Sequence, residues 1–400
     1  MSTAFKTLDD FDLKGKRVLV RADLNVPVAK GKVTDETRIE RLLPTLRDIT
    51  KQGGKAIILS HFGRPKGAPD PTLSLKQVVP ALKRLTGHRV TFIDTTWTNV
   101  NEARARIKAA HAGSVFVLEN TRFHPGEEEN DEKLARRMAS LGDIYVNDAF
   151  SAAHRAHAST EAVARLLPSA AGRAMQAELT ALQSGLGNPR RPVIALVGGA
   201  KVSTKIGLLE NLASRVEALV IGGAMANTFL HAMGVGIGKS LAEKNLAEIV
   251  RRIIDRATAA RCAIILPIDA VIAWHFKADT PTRLYGVDAI DNDGMILDIG
   301  PSSIERITGA IDDANTVVWN GPMGAFEMNP FDAGTVAIAR HVAKRTHDGK
   351  LVSVAGGGDT VSALAHAGVK DDFTYVSTAG GAFLEWMEGK PLPGVEALKK

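Results

Sequence analysis

One pattern constrains the fold more than any other: short β-branched apolar runs alternate with stretches of helical spacing along the whole chain. In the first half the runs are Arg17–Val20, Ala56–Leu59, Val90–Ile93, Val115–Leu118 and Ile144–Val146. In the second half they are Val193–Val197, Ala218–Ile221, Ala263–Leu266, Val317–Trp319, Leu351–Ala355 and Phe373–Val376. Runs of this length and composition read as buried strands. Segments such as Leu134–Ser140, Lys205–Ser214 and Leu246–Ala259 read as helices between them. Strands alternating with helices build βαβ units and mainly parallel sheets.

At 400 residues the chain is too long for one core, since single cores stop growing at roughly 250–300 residues. The stretch from Arg173 to Gly187 has helical spacing and no strand character, and Gly172 and Asn188-Pro189 flank it. It predicts an inter-domain helix with hinge points at its ends. The expected domains are residues 1–172 and 188–389, with 173–187 joining them.

Charge is divided unevenly. Residues 1–186 carry 28 Lys and Arg against 21 Asp and Glu, and the remainder carries 22 against 23. The first half therefore holds the whole positive excess. No Lys/Arg run is present, and aromatics are only 5% of residues, too few for obvious base-stacking platforms. Nucleic acid is not an expected partner. No apolar stretch reaches transmembrane length and residues 1–10 lack an apolar signal region, so no membrane association is expected. The single cysteine, Cys262, allows no internal disulfide and fits a reducing cytoplasm.

Ligands of open parallel sheets bind beyond the carboxyl ends of the strands. In the first half those positions hold Arg21-Ala22-Asp23-Leu24-Asn25, then His61-Phe62-Gly63-Arg64, then Glu119-Asn120-Thr121-Arg122, and Asn147-Asp148 leading to His154-Arg155. Arg38 opens a helix just beyond the first of them. Five arginines and His61 thus fall toward one edge, with Asp23 and Asn25 beside them. Arginine suits bidentate capture of phosphate and carboxylate, so the implied ligand is small and multiply anionic.

The second half puts glycine at the same places: Gly198-Gly199-Ala200-Lys201, Gly222-Gly223, Asn320-Gly321-Pro322, Gly356-Gly357-Gly358-Asp359-Thr360 and Ala379-Gly380-Gly381. Glycine lets backbone approach a ligand closely, and amides at helix N-termini hold phosphates. Lys201 and Lys205 are four apart, and the expectation is one face of a helix start reaching a polyphosphate. Two look-alikes fail. Gly238-Lys239-Ser240 has Met233 where a phosphate-binding loop needs its first glycine. Gly234-Val235-Gly236-Ile237-Gly238 is not a dinucleotide fingerprint. Neither His154 nor His157 has companions at zinc-ligand spacing. From residues alone, a nicotinamide-dependent dehydrogenase without its fingerprint and an RNA-binding module using the basic half stay open as rivals.

The ordered segments RADLNVP, ETRI, LSHFGRP, LENTRFHPGEE, VNDAF, AHRAHAST, VGGAKVSTKI, IGGAMANTF, WNGPMGAFE, GGGDT and STAGGAFLEWMEGK resemble the phosphoglycerate kinase family from Arg17 to Lys390. The resemblance implies two Rossmann-like three-layer α/β/α domains with mainly parallel sheets, joined by the inter-domain helix and hinge. It implies reversible phosphoryl transfer between 1,3-bisphosphoglycerate and ADP, giving 3-phosphoglycerate and ATP, by a cytoplasmic monomer. It also implies that the tail from about residue 390 packs back on the first domain. By matched position, Asp23, Leu24, Asn25, Arg38, His61, Phe62, Gly63, Arg64, Arg122 and Arg155 would bind phosphoglycerate. Lys201, Lys205, Glu327, Gly357, Gly358, Asp359 and Thr360 would bind the nucleotide, with Asp359 on Mg²⁺. Two departures stand out: Ala379 replaces the middle of a usual triple glycine, and Ser151-Ala152 replaces a usual Gly-Thr.

In-line transfer from an acyl phosphate needs no covalent enzyme intermediate. Catalysis is then mostly positioning and charge stabilisation. Arg38 and Lys205, with the amides of Gly380 and Gly381, are the expected stabilisers of the group in flight. Closure of the two domains would bring the ligands together and exclude water.

Overall fold

In the computed structural model, which describes residues 5–399, the first half forms eight strands. They are β1 (Arg17–Ala22), β2 (Val28–Ala29), β3 (Lys32–Val33), β4 (Lys55–Leu59), β5 (Val90–Ile93), β6 (Val115–Leu118), β7 (Ile144–Asp148) and β8 (Ser169–Ala171). The near-continuous apolar runs behave as strands covered on both faces must. Six of them make one sheet in the order β5-β6-β4-β1-β7-β8, and every pairing is parallel. Val18 faces Ala56 on one side and Ile144 on the other. The helix Thr37–Lys51 lays Ile39, Leu42, Leu46 and Ile49 on this sheet, apolar positions three and four apart. The remaining strands, β2 and β3, form a small antiparallel hairpin.

The second half supplies β9 (Val193–Val197), β10 (Ala218–Ile221), β11 (Ala263–Ile265), β12 (Asp269–Ala273), β13 (Thr282–Gly286), β14 (Met295–Ile299), β15 (Thr316–Asn320), β16 (Val352–Gly356) and β17 (Tyr375–Ser377). The main sheet runs β11-β10-β9-β15-β16-β17, again wholly parallel. Buried Trp319 in β15 donates its indole N–H to the Gly321 carbonyl at 2.7 Å. A separate antiparallel sheet, β13-β12-β14, occupies a region where the apolar runs predict no strand. Its edge strand β13 buries no residue fully and so carries little apolar signal.

Contacts divide the chain into two compact units. One runs to Leu179 and takes back the segment from Pro391, and the other is Thr180–Lys390. The division falls inside the helix Arg173–Leu182. Its first residue is anchored in the first unit, where Arg173 bonds to Asp9 and Asp48 and its amide to Thr45 Oγ1. The π-turn Gln183–Gly187 that follows brings Gly185 against Val354 and Val318 of the second unit. At the chain's end the Gly394 amide donates to the Ala153 carbonyl at 2.9 Å, and Phe5 bridges Lys399.

Candidate functional site

In the first unit β6, β4, β1 and β7 are consecutive in the sheet. Because all run parallel, the segments after them open on one edge. Hydrogen bonds knit those segments together. Asn25 Oδ1 accepts from the Gly63 amide at 2.9 Å. Asn120 accepts from the Phe62 amide and donates to the Phe62 carbonyl, at 3.1 and 2.7 Å. Arg122 Nη1 donates to the Gly63 carbonyl at 2.9 Å, and the Leu24 amide to Ser60 Oγ at 3.0 Å. Arg38 reaches both Asp23 oxygens at 2.9 and 2.8 Å and the Asn25 carbonyl at 3.1 Å.

Asp23, Leu24, Asn25, Arg38, His61, Phe62, Gly63 and Arg122 are thereby brought together. Arg64 and Arg155 are exposed, and Arg155 Nε contacts His154 at 3.2 Å. Burial lowers the Arg122 guanidinium, while Glu128 beside it opposes that shift. His157, buried among Arg122, Arg21 and Arg155, is pushed down to about 4, with burial the larger cause.

Three features depart from the expectations. Arg21 is not a ligand arginine at the strand end but lies within β1, 1% exposed. Ser151, one of the family departures, donates to Asp23 at 2.5 Å and so braces the carboxylate that holds Arg38. Asn120, given no role of its own in the sequence, is the clamp on Phe62. Its signal was its place two residues beyond β6.

In the second unit the segments after β9, β15 and β16 meet. Their glycines mostly permit backbone to pack on backbone rather than on a ligand. A side chain on Gly198 would put its Cβ 1.8 Å from the Pro322 carbonyl oxygen. One on Gly321, at φ +100°, would meet the Gly198 oxygen at 2.1 Å. Lys201 and Lys205 do not share a helix face. A 3-10 turn, Val202–Thr204, separates them, and the helix begins only at Ile206. Lys201 is exposed. Lys205 Nζ donates to the carbonyls of Gly198 and Asn320 at 2.7 and 3.2 Å. Burial brings its ammonium down to about 8, and the Asp359 carboxylate opposes that shift.

Gly358 starts the helix Gly358–His366 with open space at its Cα, and Asp359 is exposed in the first turn. Thr360 is buried: its hydroxyl donates to the Gly356 carbonyl and accepts from the Gly321 amide. Its role in the structure is to tie two glycine segments. Gly380 and Gly381 begin another helix, Gly380–Met387. Ala379 before them sits at φ −91°, ψ 26°, where a side chain costs no strain. A cavity of about 550 Å³ adjoins this edge, with Ala224, Leu241, Phe276 and Met323 in its wall and Glu327 and Asp359 at its border. Gly238-Lys239-Ser240 instead packs on the Asp291–Gly294 turn, Lys239 pairing with Asp293.

Two wholly parallel sheets in one chain, one edge rich in arginine and the other in glycine, define the class: a two-unit α/β protein with a ligand edge on each unit. The profile of the phosphoglycerate kinase family matches residues 8–390. Phosphoglycerate kinase from Rhodopseudomonas palustris is 64% identical over 400 residues, covering 100% of both chains. That from Brucella abortus is 62% identical over 396 residues, covering 99% of this chain and all of the relative. The solved phosphoglycerate kinase of Coxiella burnetii superposes with a TM-score of 0.93 at 42% identity, over 98% of each chain. The chain belongs to the phosphoglycerate kinase family. Its activity is the family's: reversible phosphoryl transfer between 1,3-bisphosphoglycerate and ADP in glycolysis, giving 3-phosphoglycerate and ATP.

Proposed function

We propose that the arginine-lined edge of the first unit holds phosphoglycerate and the glycine-lined edge of the second holds ADP or ATP. The observation that carries this reading is the mutual bonding of the segments after β1, β4 and β6, which fixes Asn25, Gly63 and Arg122 against one another. A preorganised polar site spares the reorganisation that water would demand. In this reading Arg122, His61, Arg64 and Arg155 grip the acid, and Arg38 turns from Asp23 toward the group in flight. Lys205 and the amides of Gly380 and Gly381 meet the same group from the nucleotide side. Glu327 contacts the ribose, while Lys201, Gly357 and Gly358 line the phosphates. Thr360 acts through the loop it ties.

Asp359 fits a metal role, being an exposed carboxylate at a helix start bordering the cavity. Mg²⁺ is commonly held by one or two carboxylates together with substrate phosphates, and bound there it would neutralise phosphate charge. We further infer closure of the two units during turnover, and a cytoplasmic monomer. Among the described residues no helix is long and apolar enough to cross a membrane.

A coupled assay with 3-phosphoglycerate and ATP across a magnesium titration tests the assignment. Asp359→Asn should shift the magnesium requirement upward and leave 3-phosphoglycerate binding to the unliganded protein unchanged. An unaltered magnesium curve would remove Asp359 from the metal role.

A further inference from the structure

Behind the arginine-lined edge lies a buried polar chain, Glu127, Ser159 and Arg21, that ends on His61. Arg21 Nε donates to Ser159 Oγ at 2.9 Å, and Arg21 Nη1 to the Ala22 carbonyl at 2.6 Å. Its Nη2 lies 3.0 Å from Nδ1 of His61. The Ser159 hydroxyl donates to Glu127, which also accepts from the Ser159 amide at 3.0 Å and from Thr121 Oγ1 at 3.1 Å. Glu127 is wholly buried and Arg21 1% exposed. A lone buried guanidinium would be costly, and Glu127 supplies the balancing charge one hydroxyl away.

The direction of every proton in this chain is determined. Guanidinium has five donors and no acceptor, and it does not deprotonate in proteins. Ser159 donates to Glu127, so its lone pair is free to receive Arg21 Nε. On the other side, Nδ1 of His61 can only accept. The ring proton of a neutral imidazole must then sit on Nε2.

We propose that Arg21 is a positioning residue that holds His61 as a neutral imidazole with its proton on Nε2, so that this nitrogen is a donor. The proposal rests on the reading that His61 touches phosphoglycerate. In the other tautomer Nε2 would turn a lone pair toward an anionic ligand, and binding would be lost. Protonation is opposed as well. Burial, then the charges of Arg21 on β1, Arg122 after β6, and His157 and Arg155 after β7, hold His61 well below its ordinary value. The donor is therefore constant in the physiological range, where an ordinary histidine changes charge.

The test is a two-bond ¹H–¹⁵N spectrum of the full chain with labelled histidine, His61 being assigned by its loss in His61→Gln. The wild type should show Nδ1 bare and Nε2 protonated from about pH 8 to about pH 5.5. Arg21→Gln, whose amide can donate or accept, should mix the tautomers and let His61 titrate nearer to its ordinary value. Its kcat/KM for 3-phosphoglycerate should fall at pH 8 in proportion to the share of the Nδ1–H tautomer, about twofold for an even mixture, and recover in acid, where imidazolium carries a proton on both nitrogens. Arg21→Gln/His61→Gln should show no such recovery, whereas a merely structural loss would not depend on His61. Nδ1 protonated in the wild type overturns the proposal, as does Arg21→Gln with an unchanged tautomer and pH profile. The wild-type spectrum decides even if the variant does not fold. If the His61 signals do not move with saturating 3-phosphoglycerate, the site reading fails, an outcome distinct from a wrong tautomer.

Discussion

The two units share an architecture and differ in what their sheet edges are made of. At the first edge side chains do the wiring: Asn25 to Gly63, Asn120 to Phe62, Arg122 to Gly63, Arg38 to Asp23. At the second, backbone bonds share the work with Thr360 and Lys205, which tie the same glycine segments. The Gly198 amide bonds to the Asn320 carbonyl at 3.0 Å, and the Gly223 amide to the Met323 carbonyl at 2.8 Å. A side-chain edge can lose one function at a time by mutation. A backbone edge resists most substitutions and fails as a whole when a glycine is filled. The contrast suits the two ligands in our reading. A small, multiply charged acid is gripped by planar cationic forks, and a nucleotide's phosphates by amides at helix starts.

The largest expected effect strikes the side-chain edge. Arg38 is the arginine whose salt-bridge partner, Asp23, lies within the same edge, and its side chain is 39% exposed. A group that exchanges that partner for the transferring phosphoryl acts in the transition state. Arg38→Ala should cost on the order of 10³ in kcat, as for other charge stabilisers in phosphoryl transfer. Arg38→Lys should recover little, since a point charge does not replace the fork. Steady-state kinetics with both substrates decides. An unchanged kcat with a raised KM would make Arg38 a binding residue and leave Lys205 as the catalytic cation.

Next comes the backbone edge. Gly198→Ala forces a Cβ into the Pro322 carbonyl, and overpacking of that kind costs about 3 kcal/mol. Urea unfolding should show the loss, while 3-phosphoglycerate binding under native conditions persists. A stable Gly198→Ala protein with normal kcat would break the comparison, because the edge would then have slack. Arg122→Ala returns to the first edge with a smaller effect. Removing a charge-assisted contact made equally in ground and transition states should raise the KM for 3-phosphoglycerate about tenfold with kcat retained.

The same contrast explains what was legible beforehand. Parallel strands buried on both faces announce themselves as apolar runs, so β5, β6, β9 and β10 match their runs residue for residue. Strand β8, Ser-Ala-Ala, has no β-branched residue and exists only because β7 offers it a partner. Strand β14 pairs with β12 across more than twenty residues, which local composition does not carry, and the β13 partner of β12 is half exposed and shows no apolar run. Asp23, His61 and Arg122 were visible because they fall in the segments after β1, β4 and β6, where ligands of parallel sheets bind. The buried relay from Glu127 through Ser159 to Arg21 was not, since only the fold brings positions 21, 127 and 159 together. The glycines were visible as a pattern but not as a cause: for Gly198 and Gly321 the close neighbour is the other backbone, not a ligand.

Lys205 is the side chain that crosses the divide, and it gives the finest test. It sits among the glycine segments with its Nζ on two carbonyls. Its folded pKa is about 8, lowered by burial against the opposing pull of Asp359, while the unfolded chain keeps the ordinary value near 10.5. Between those values the unfolded state binds more protons, so the unliganded fold gains stability as pH rises through that window. Nucleotide phosphates beside Nζ would favour the charged form and raise its pKa again. At about pH 8 roughly half of the free protein has Lys205 neutral, and binding should then take up about half a proton. Near pH 6.5 Lys205 is already charged and should take up almost none. Titration calorimetry of ADP in buffers of different ionisation enthalpy reads this number directly. Lys205→Met should abolish the uptake. Uptake that stays at zero across the range would mean either that nucleotide phosphates do not approach Lys205 or that its ammonium is already fully charged in the free protein, and the pH dependence of the unliganded protein's stability tells the two apart.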